Sequence, residues 1–464
     1  MGKPDKSAGQ EKFDQLREEY PFLEYNNFEV NIDLAGLHVI YEYNLAGKYT
    51  FRPGFSIPRR RFFLNFPTAE TIKSPLYQNL LFHIGLIELI SYWKAACPPQ
   101  VMIKGQILSE KQVSWWKNVY FQGLGEFFYT NDIKSSPEAF MQILSAGESI
   151  PVQKADLDNT VIVPVGGGKD SVVTLELLSN MVTVRPFIMN PRGATLECVR
   201  VAGFGNEGFI EVNRRLDPLL LELNTSGFLN GHTPFSALLA FYSLLVSAVS
   251  GHRHIALSNE SSANEPTVAG TDVNHQYSKS FAFESDFRDY VKEFISADFN
   301  YFSFLRPLNE LQIARLFAEH VKYYPVFKSC NAGSKTDIWC CNCPKCLFAF
   351  TILSPFIPMI ELVHIFGQNL FELPQMLRYL KELTGIDDVK PFECVGTIDE
   401  VNVALHMFIA KHQHEKLPLL IDYYSNTTNF LPHKTGLADK ILNEFNEEHF
   451  LEPEFLKIIK LKQQ

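Results

Sequence analysis

The sequence predicts an α/β protein in which a helix-covered parallel sheet follows a β-rich unit and precedes a helical region with a four-cysteine metal site. Three observations predict it. From Thr160 onward, strand patterns alternate with helical ones, as βαβ units require. Before about residue 66 the apolar pattern instead has a period of two. Five of the eight cysteines (Cys330, Cys340, Cys341, Cys343 and Cys346) crowd into one short stretch.

A chain of 464 residues suits about three packing units at roughly 150 residues each. With 46% hydrophobic and 20% charged residues, disorder is excluded as the general state. Lys+Arg 42 against Asp+Glu 52 gives a net charge of -10, which argues against a duplex-DNA footprint, so no nucleic-acid partner is expected. The first fifteen residues lack the apolar core of a secretory signal, and Lys6 stands where a myristoylation pattern wants Ser or Thr. The most apolar windows, 80–93 and 237–249, are too short for membrane insertion. A cytoplasmic enzyme is the expected class, and in that setting clustered cysteines favour a metal over disulfides.

Four segments are expected: a β-rich unit over 1–73, a helical segment over 74–152, an α/β domain over 153–329, and a cysteine-bearing helical region over 330–464. In the first, HVIYEYNLAGKYTF reads as antiparallel strands and turns. From Ser74, apolar residues recur at helical spacing until Cys97-Pro98-Pro99. Ser109 and Gln112 form a capping box at the start of the next helix. Trp115, Trp116 and Phe127-Phe128-Tyr129 read as core rather than as a ligand cage. A boundary falls in the polar stretch 153–159. Beyond it come the strand TVIVPV, a Gly-rich turn, the helix SVVTLELLSN, the strand TVRPFIMN, a short helix near 195–202 and the strand GFIEVNR. A helix over 234–250 and the strand HIALSN follow, with Thr233 as N-cap ahead of Pro234. From Leu347 the pattern is helical, broken at Pro355, Pro358 and Pro374, and no internal repeat appears.

The sharpest local signal is VIVPVGGGKDSVVTLELL, a buried strand running through Gly166, Gly167, Gly168, Lys169, Asp170 and Ser171 into a helix. Phosphate is the natural ligand. The glycines let backbone N–H groups approach an anion, and the helix start adds unpaired donors and a positive dipole end. Lys169 offers charge and Ser171 a hydroxyl, whereas Asp170 beside phosphates makes sense as a Mg²⁺ contact. The Walker A and GxGxxG patterns both fail here. The loop resembles SGGxDS of the PP-loop (adenine nucleotide alpha hydrolase-like) ATP pyrophosphatases, with Gly166 where that superfamily usually has Ser. This resemblance implies ATP cleavage to AMP and pyrophosphate, with Asn190, Asn259 and Glu260 lining the cleft beyond the strand ends. A tight βα turn without a ligand is the plainer alternative.

Cys330-x9-Cys340-x2-Cys343-x2-Cys346 offers four thiolates at spacings that suit tetrahedral zinc, with an iron–sulfur cluster as the alternative and Cys341 as a spare. The register is similar to the four-cysteine zinc site of the deazaguanine nitrile synthases, also PP-loop enzymes. Between HIALS and the cysteines, Glu260, Glu265, His275, Tyr277, Lys279 and Glu284 gather after a strand end, where substrate chemistry is expected. For each of these a solvated-loop role is the alternative. Arg214 and Arg215 are further anion-binding candidates, with a surface role as the alternative, and His232 opens a helix where it can face the cleft, with a structural cap as the alternative.

GLIELISYWKAACPP, WWKNVYFQGLGEFFYTN, VPVGGGKDS, SNESSANEPT with VNHQYSKSFAFE, CNCPKCLFAF and KPFECVG together resemble the MurL family of UDP-N-acetylmuramoyl-L-alanyl-L-glutamate epimerases, over about residues 85–396. The resemblance implies ATP- and Mg²⁺-dependent inversion of the terminal glutamate of UDP-N-acetylmuramoyl-L-Ala-L-Glu in peptidoglycan precursor synthesis. On that reading Asp170 contacts Mg²⁺ and Lys169 neutralises the departing pyrophosphate, while Glu260 and His275 carry protons ahead of Tyr277 or Lys279. Two rivals stand beside it: a PP-loop enzyme that adenylates a nucleoside or tRNA, and a silent nucleotide-binding module.

Overall fold

A computed structural model describes residues 7–463 except 64, 266, 268–273 and 428–435. Residues 266 and 268–273 of the polar segment before His275 therefore lie outside the described residues. The chain is mixed α/β and opens with α1 (Ala8–Glu19), β1 (Phe22–Ile32), β2 (Gly36–Leu45), β3 (Tyr49–Phe51), β4 (Gly54–Pro58) and α2 (Pro75–Ala96). There follow β5 (Gln100–Gln106), α3 (Glu110–Gly123), α4 (Gly125–Thr130), β6 (Gln142–Glu148), β7 (Asp158–Pro164), α5 (Lys169–Ser179), β8 (Val184–Met189) and α6 (Gly193–Val201). Next come β9 (Ile210–Arg215), α7 (Pro218–Thr225), α8 (Phe235–Ser250), β10 (His252–Leu257), α9 (Phe281–Phe294), β11 (Asn300–Ser303), α10 (Glu310–Ala318) and α11 (Pro344–Leu353). Beyond α11 the elements are helical, including α12 (Met359–Phe366), α13 (Leu377–Thr384) and α14 (Ile398–Lys411).

Two compact units emerge, each assembled from separated stretches of chain. The first gathers Met1–Asn159, Ile210–Ile255 and Ala282–Asn300. Its strands run in the order β9-β4-β2-β1-β5-β6, with β3 beside β2. β1, β2, β4 and β9 pair antiparallel, whereas β5 joins β1 and β6 in parallel. The expected β-rich start is present, but 74–152 also holds the two strands β5 and β6, which are short and carry glycine in place of a long apolar alternation. GFIEVNR likewise pairs antiparallel with β4, so this strand is not part of a purely parallel sheet.

α2 explains itself by burial: 20 of its 22 residues are buried, so it is covered all round and serves as the core of this unit, with its few polar side chains such as His83, Glu88 and Lys94 buried too. Ser74 precedes Pro75 at the first position, and Cys97 ends the helix in left-handed backbone at φ 51. The phenols of Tyr41 and Tyr43 donate to Leu81 O and Gly85 O at 2.9 and 2.6 Å, fixing the helix on the sheet. The Ser109–Gln112 capping box forms as expected. Trp116 is fully buried as core, whereas Trp115 is half-buried and stacks on Tyr290 with centroids 4.1 Å apart. Tyr129 departs from that expectation and is exposed, because α4 ends one residue later. Thr233 does not cap α8: Pro234 takes the N-cap, and the Thr233 hydroxyl instead accepts from Lys94 Nζ at 2.7 Å.

The second unit gathers Thr160–Phe209, Ala256–Phe281 and Tyr301–Gln464. Here β7 and β8 are parallel, paired Val161 to Val184 through Pro164 to Phe187. β10 runs out of the first unit, and Leu257 at its end accepts from Phe304 N at 2.7 Å. Val161, Val163, Val172, Leu175 and Ile188 form a dry core under the β7–α5 turn, continued by Leu311, Leu347, Phe350 and Leu405 of α10, α11 and α14. Among the described residues no helix is long and apolar enough to cross a membrane.

Candidate active site and metal centre

The β7–α5 turn takes the form the glycines predict. Gly167 has φ +82, a conformation costly for other residues, and a Cβ there would lie 3.0 Å from Ala194. Gly168 is the N-cap of α5, so the N–H groups of its first turn point into the loop. Around Gly166 the space is open: a Cβ would meet nothing within 4 Å. Ser171 Oγ donates to Gly168 O at 3.0 Å. A Cβ on Gly168 would lie 3.2 Å from Ser329 Cβ, and Lys328 N donates to Gly167 O at 2.8 Å. Sequence reasoning missed this second hydroxyl, because residue 329 is far away in the chain.

Lys169 is buried at the head of α5 and forms ion pairs with Asp170 and Glu310. Burial alone would lower its pKa, yet the two carboxylates raise it, so the ammonium stays charged. Glu310, at the first position of α10, was also missed; its only sequence signal is the turn RPLNE after a short strand. Burial raises its carboxyl well above the usual range, with Asp170 and Glu260 adding repulsion against the pull of Lys169. Its backbone N–H donates to Glu400 Oε1 at 2.7 Å, and Ser262 Oγ donates to the same oxygen at 2.7 Å.

Glu260 is buried just past the end of β10. Burial raises its carboxyl, and Asp170 pushes the same way against Lys279, Lys169 and Arg306. Arg306 is fully buried and donates to Glu260 O at 2.6 Å and to Lys279 O at 2.5 Å, thereby tying together two segments that carry charged side chains. Asn259 donates to Ser303 Oγ at 3.1 Å. Asn190, just past the end of β8, has left-handed backbone at φ 52 and is exposed, four residues before Ala194. Against its burial, Lys279, Lys345 and His275 hold the Cys394 thiol well below its usual value, and the linear reading did not single this cysteine out. Glu265 pairs with Lys390.

Glu284, Arg214, Arg215 and His232 belong to the first unit. Arg214 is not available to an external anion: its guanidinium is bidentate to buried Glu88 at 2.5 and 2.6 Å, and Tyr242 Oη donates to the same carboxylate at 2.9 Å. His232 Nδ1 lies 3.3 Å from Glu126, and Arg215 is exposed.

The Sγ atoms of Cys330, Cys340, Cys343 and Cys346 all lie within 4.8 Å of one another, a set that can hold a metal ion. Cys330–Cys343 and Cys340–Cys346 are each 3.8 Å apart. Backbone N–H groups of Gly333, Asn342 and Cys346 donate to Cys330, Cys340 and Cys343 at 3.1, 3.4 and 3.4 Å, the outer support thiolate ligands need. Cys341 stays outside the group and approaches Phe366 O at 3.2 Å.

Comparison with known proteins decides the kinship. The chain matches the MurL N-terminal domain over residues 15–304 and the MurL C-terminal domain over 326–436. The chain belongs to the MurL family. Three relatives carry the name UDP-N-acetyl-alpha-D-muramoyl-L-alanyl-L-glutamate epimerase. The one from Micromonospora sp. is 34% identical over 84% of this chain and 88% of its own length. Those from Salinispora tropica and Xanthomonas oryzae pv. oryzae are 38% and 36% identical, over 70% and 72% of this chain and 72% and 75% of their own lengths. No solved structure matches the chain. MurL membership thus rests on sequence, and the β7–α5 loop and the cysteine group lie in segments that the two domain matches cover.

Proposed function

We propose that this MurL-family chain inverts the terminal L-glutamate of UDP-N-acetylmuramoyl-L-Ala-L-Glu to D-glutamate, converting ATP to AMP and pyrophosphate. The observation that carries the reading is Lys169, held between Asp170 and Glu310 at a glycine-lined helix start, with Glu260 coupled to the same charges. A strand–loop–helix of this form supports a PP-loop fold, in which Gly166, Gly167, Gly168, Lys169, Asp170 and Ser171 take the triphosphate. Asn190 and Asn259 would border the nucleotide. Asp170 and Glu310 would hold Mg²⁺, which neutralises phosphate charge when bound. Lys169 then stabilises the leaving pyrophosphate.

The chemistry follows from charge. A free carboxylate beside Cα resists loss of the Cα proton, because the carbanion would form next to an existing anion. Adenylation removes that charge and makes the acyl group an electron sink, so a positioned base can take the proton and another group can return it. Glu260 is the first carrier on this reading. His275 is the second candidate, acting directly or through a neighbour. A nucleotide-linked substrate and ATP are consistent with a cytoplasmic reaction.

For the cysteines we infer zinc. Tetrahedral ligands at about 2.3 Å from zinc lie about 3.8 Å from one another, the spacing of the Cys330–Cys343 and Cys340–Cys346 pairs. A cubane binds each thiolate at a different corner and spreads them farther apart.

Incubation with ATP, Mg²⁺ and UDP-N-acetylmuramoyl-L-Ala-L-Glu in D₂O tests the reading. Pyrophosphate and deuterium at the glutamyl Cα are expected together. Pyrophosphate without deuterium would overturn it in favour of a plain adenylating enzyme.

A further inference from the structure

We propose that Ser329 is a phosphate-binding residue, its hydroxyl donating to the triphosphate of ATP at the β7–α5 turn, and that the loop between Cys330 and Cys340 holds it there. The inference rests on the ATP reading above and adds to it a donor from a distant part of the chain. Two contacts place Ser329 at the turn. Lys328 N donates to Gly167 O at 2.8 Å, and Ser329 Cβ lies 3.2 Å from where a Cβ on Gly168 would stand. Gly168 is the N-cap of α5, so Ser329 sits beside the unpaired N–H groups that open that helix. It is half-buried, and among the described residues its hydroxyl has no hydrogen-bond partner. The neighbouring side chains are engaged. Ser171 Oγ gives its proton to Gly168 O at 3.0 Å, Lys169 pairs with Asp170 and Glu310, and Lys328 Nζ lies 3.8 Å from Asp337. Of the two serines at the turn, Ser329 is therefore the one whose proton is uncommitted when an anion settles on the backbone N–H groups.

The loop that follows anchors this hydroxyl. Cys330, the next residue, and Cys340 both belong to the four-thiol group, so the two ends of the loop are drawn together there. Between them, Asp337 bridges back to the phosphate turn. Its Oδ1 accepts from Ala194 N at 2.8 Å at the start of α6, and Ala194 in turn lies 3.0 Å from the position a Cβ on Gly167 would take. Gly193 makes room for the carboxylate, which a Cβ at that residue would overlap. Asp337 reaches this place from left-handed backbone at φ 54, a conformation that Asp adopts more readily than most residues. The segment thus grips the turn on two sides, through residues 328 and 329 at Gly167 and Gly168 and through Asp337 at Ala194. A hydroxyl fixed in this way before ATP arrives loses little freedom on binding, which favours affinity.

Calorimetric titration of the full chain with Mg²⁺ and α,β-methylene-ATP, which resists cleavage to AMP and pyrophosphate, tests the assignment. Ser329→Ala is expected to raise Kd about tenfold, the loss of one hydrogen bond to a charged oxygen, while metal content and the thermal midpoint of the ligand-free protein stay at wild-type values. An unchanged Kd would remove Ser329 from phosphate contact. A higher Kd that comes with metal loss or a lowered midpoint would also overturn the proposal, because Ser329 would then act through the fold. Asp337→Ala tests the anchor. Alone it should raise Kd severalfold, but in the Ser329→Ala background it should add little, since the hydroxyl it positions is already gone. Fully additive losses would overturn the anchoring role. Wild-type protein that fails to bind α,β-methylene-ATP at all would instead overturn the ATP reading on which the assignment rests.

Discussion

Gly166 is the residue at which this loop departs from the PP-loop pattern it resembles, and the open space around it makes the departure testable. Gly166→Ser places a hydroxyl where nothing lies within 4 Å, so the fold should persist and KM for ATP should fall severalfold in pyrophosphate-release kinetics. An unchanged KM would remove residue 166 from phosphate contact. His83 makes a different residue-scale case. Burial lowers its pKa from 6.5 to about 4, while its ring nitrogens bond Asn79 O and Tyr290 Oη at 2.8 Å each. The unfolded chain takes up a proton near 6.5 and the folded one resists until about 4. Stability is therefore complete above 6.5 and declines as pH falls toward 4, by about 3 kcal/mol at 1.36 kcal/mol per pH unit. His83→Gln should flatten this part of the urea-denaturation profile. Persistence of the full slope would assign it to other groups.

At the scale of elements, α2 meets the sheet through Gly85, where a Cβ would lie 2.0 Å from Tyr25 Oη and 2.4 Å from Cζ. Tyr25 cannot yield easily, since it is buried against Tyr41 and Tyr43. Gly85→Ala should cost about 1–3 kcal/mol through overpacking, read as a lower thermal midpoint. The cysteine group is the other element-scale device. Four thiolates convergent from a loop and the first turn of α11 repel one another without a cation. Stripping the metal with a strong chelator should lower the thermal midpoint, and elemental analysis of the untreated protein should return one zinc per chain. Iron with visible absorption would overturn the zinc assignment. Elements with strong local signals were legible: the capping box at Ser109, the glycine turn, and the long apolar helix ending at Cys97. β5, β6 and β11 were not, because their short stretches take strand form through neighbours that local pattern does not encode.

At the scale of the whole molecule, the two units are not consecutive in sequence. α8, from Ile210–Ile255, packs on α2 within the first unit, so a fragment ending at Asn159 would expose the apolar face of α2. Such a fragment should aggregate in size-exclusion chromatography and lack a cooperative thermal transition; a soluble, cooperatively folding fragment would show that α8 is dispensable. The same scale governs the site. Loop glycines, Lys169, Asp170 and the cysteine spacing could be read directly, since each chemistry is written within a few consecutive residues. Glu310 against Lys169, Arg306 beneath Glu260 and Lys279, and Cys394 against His275 could not, since each joins residues distant along the chain. By itself the sequence determined the β7–α5 turn, the metal-capable cysteines and the family kinship, all set by backbone freedom and ligand spacing. Only tertiary structure decided which carboxylates and which thiol share the charges around Lys169 and Lys279. Charge interaction depends on distance through the folded chain, and that distance has no counterpart in residue number.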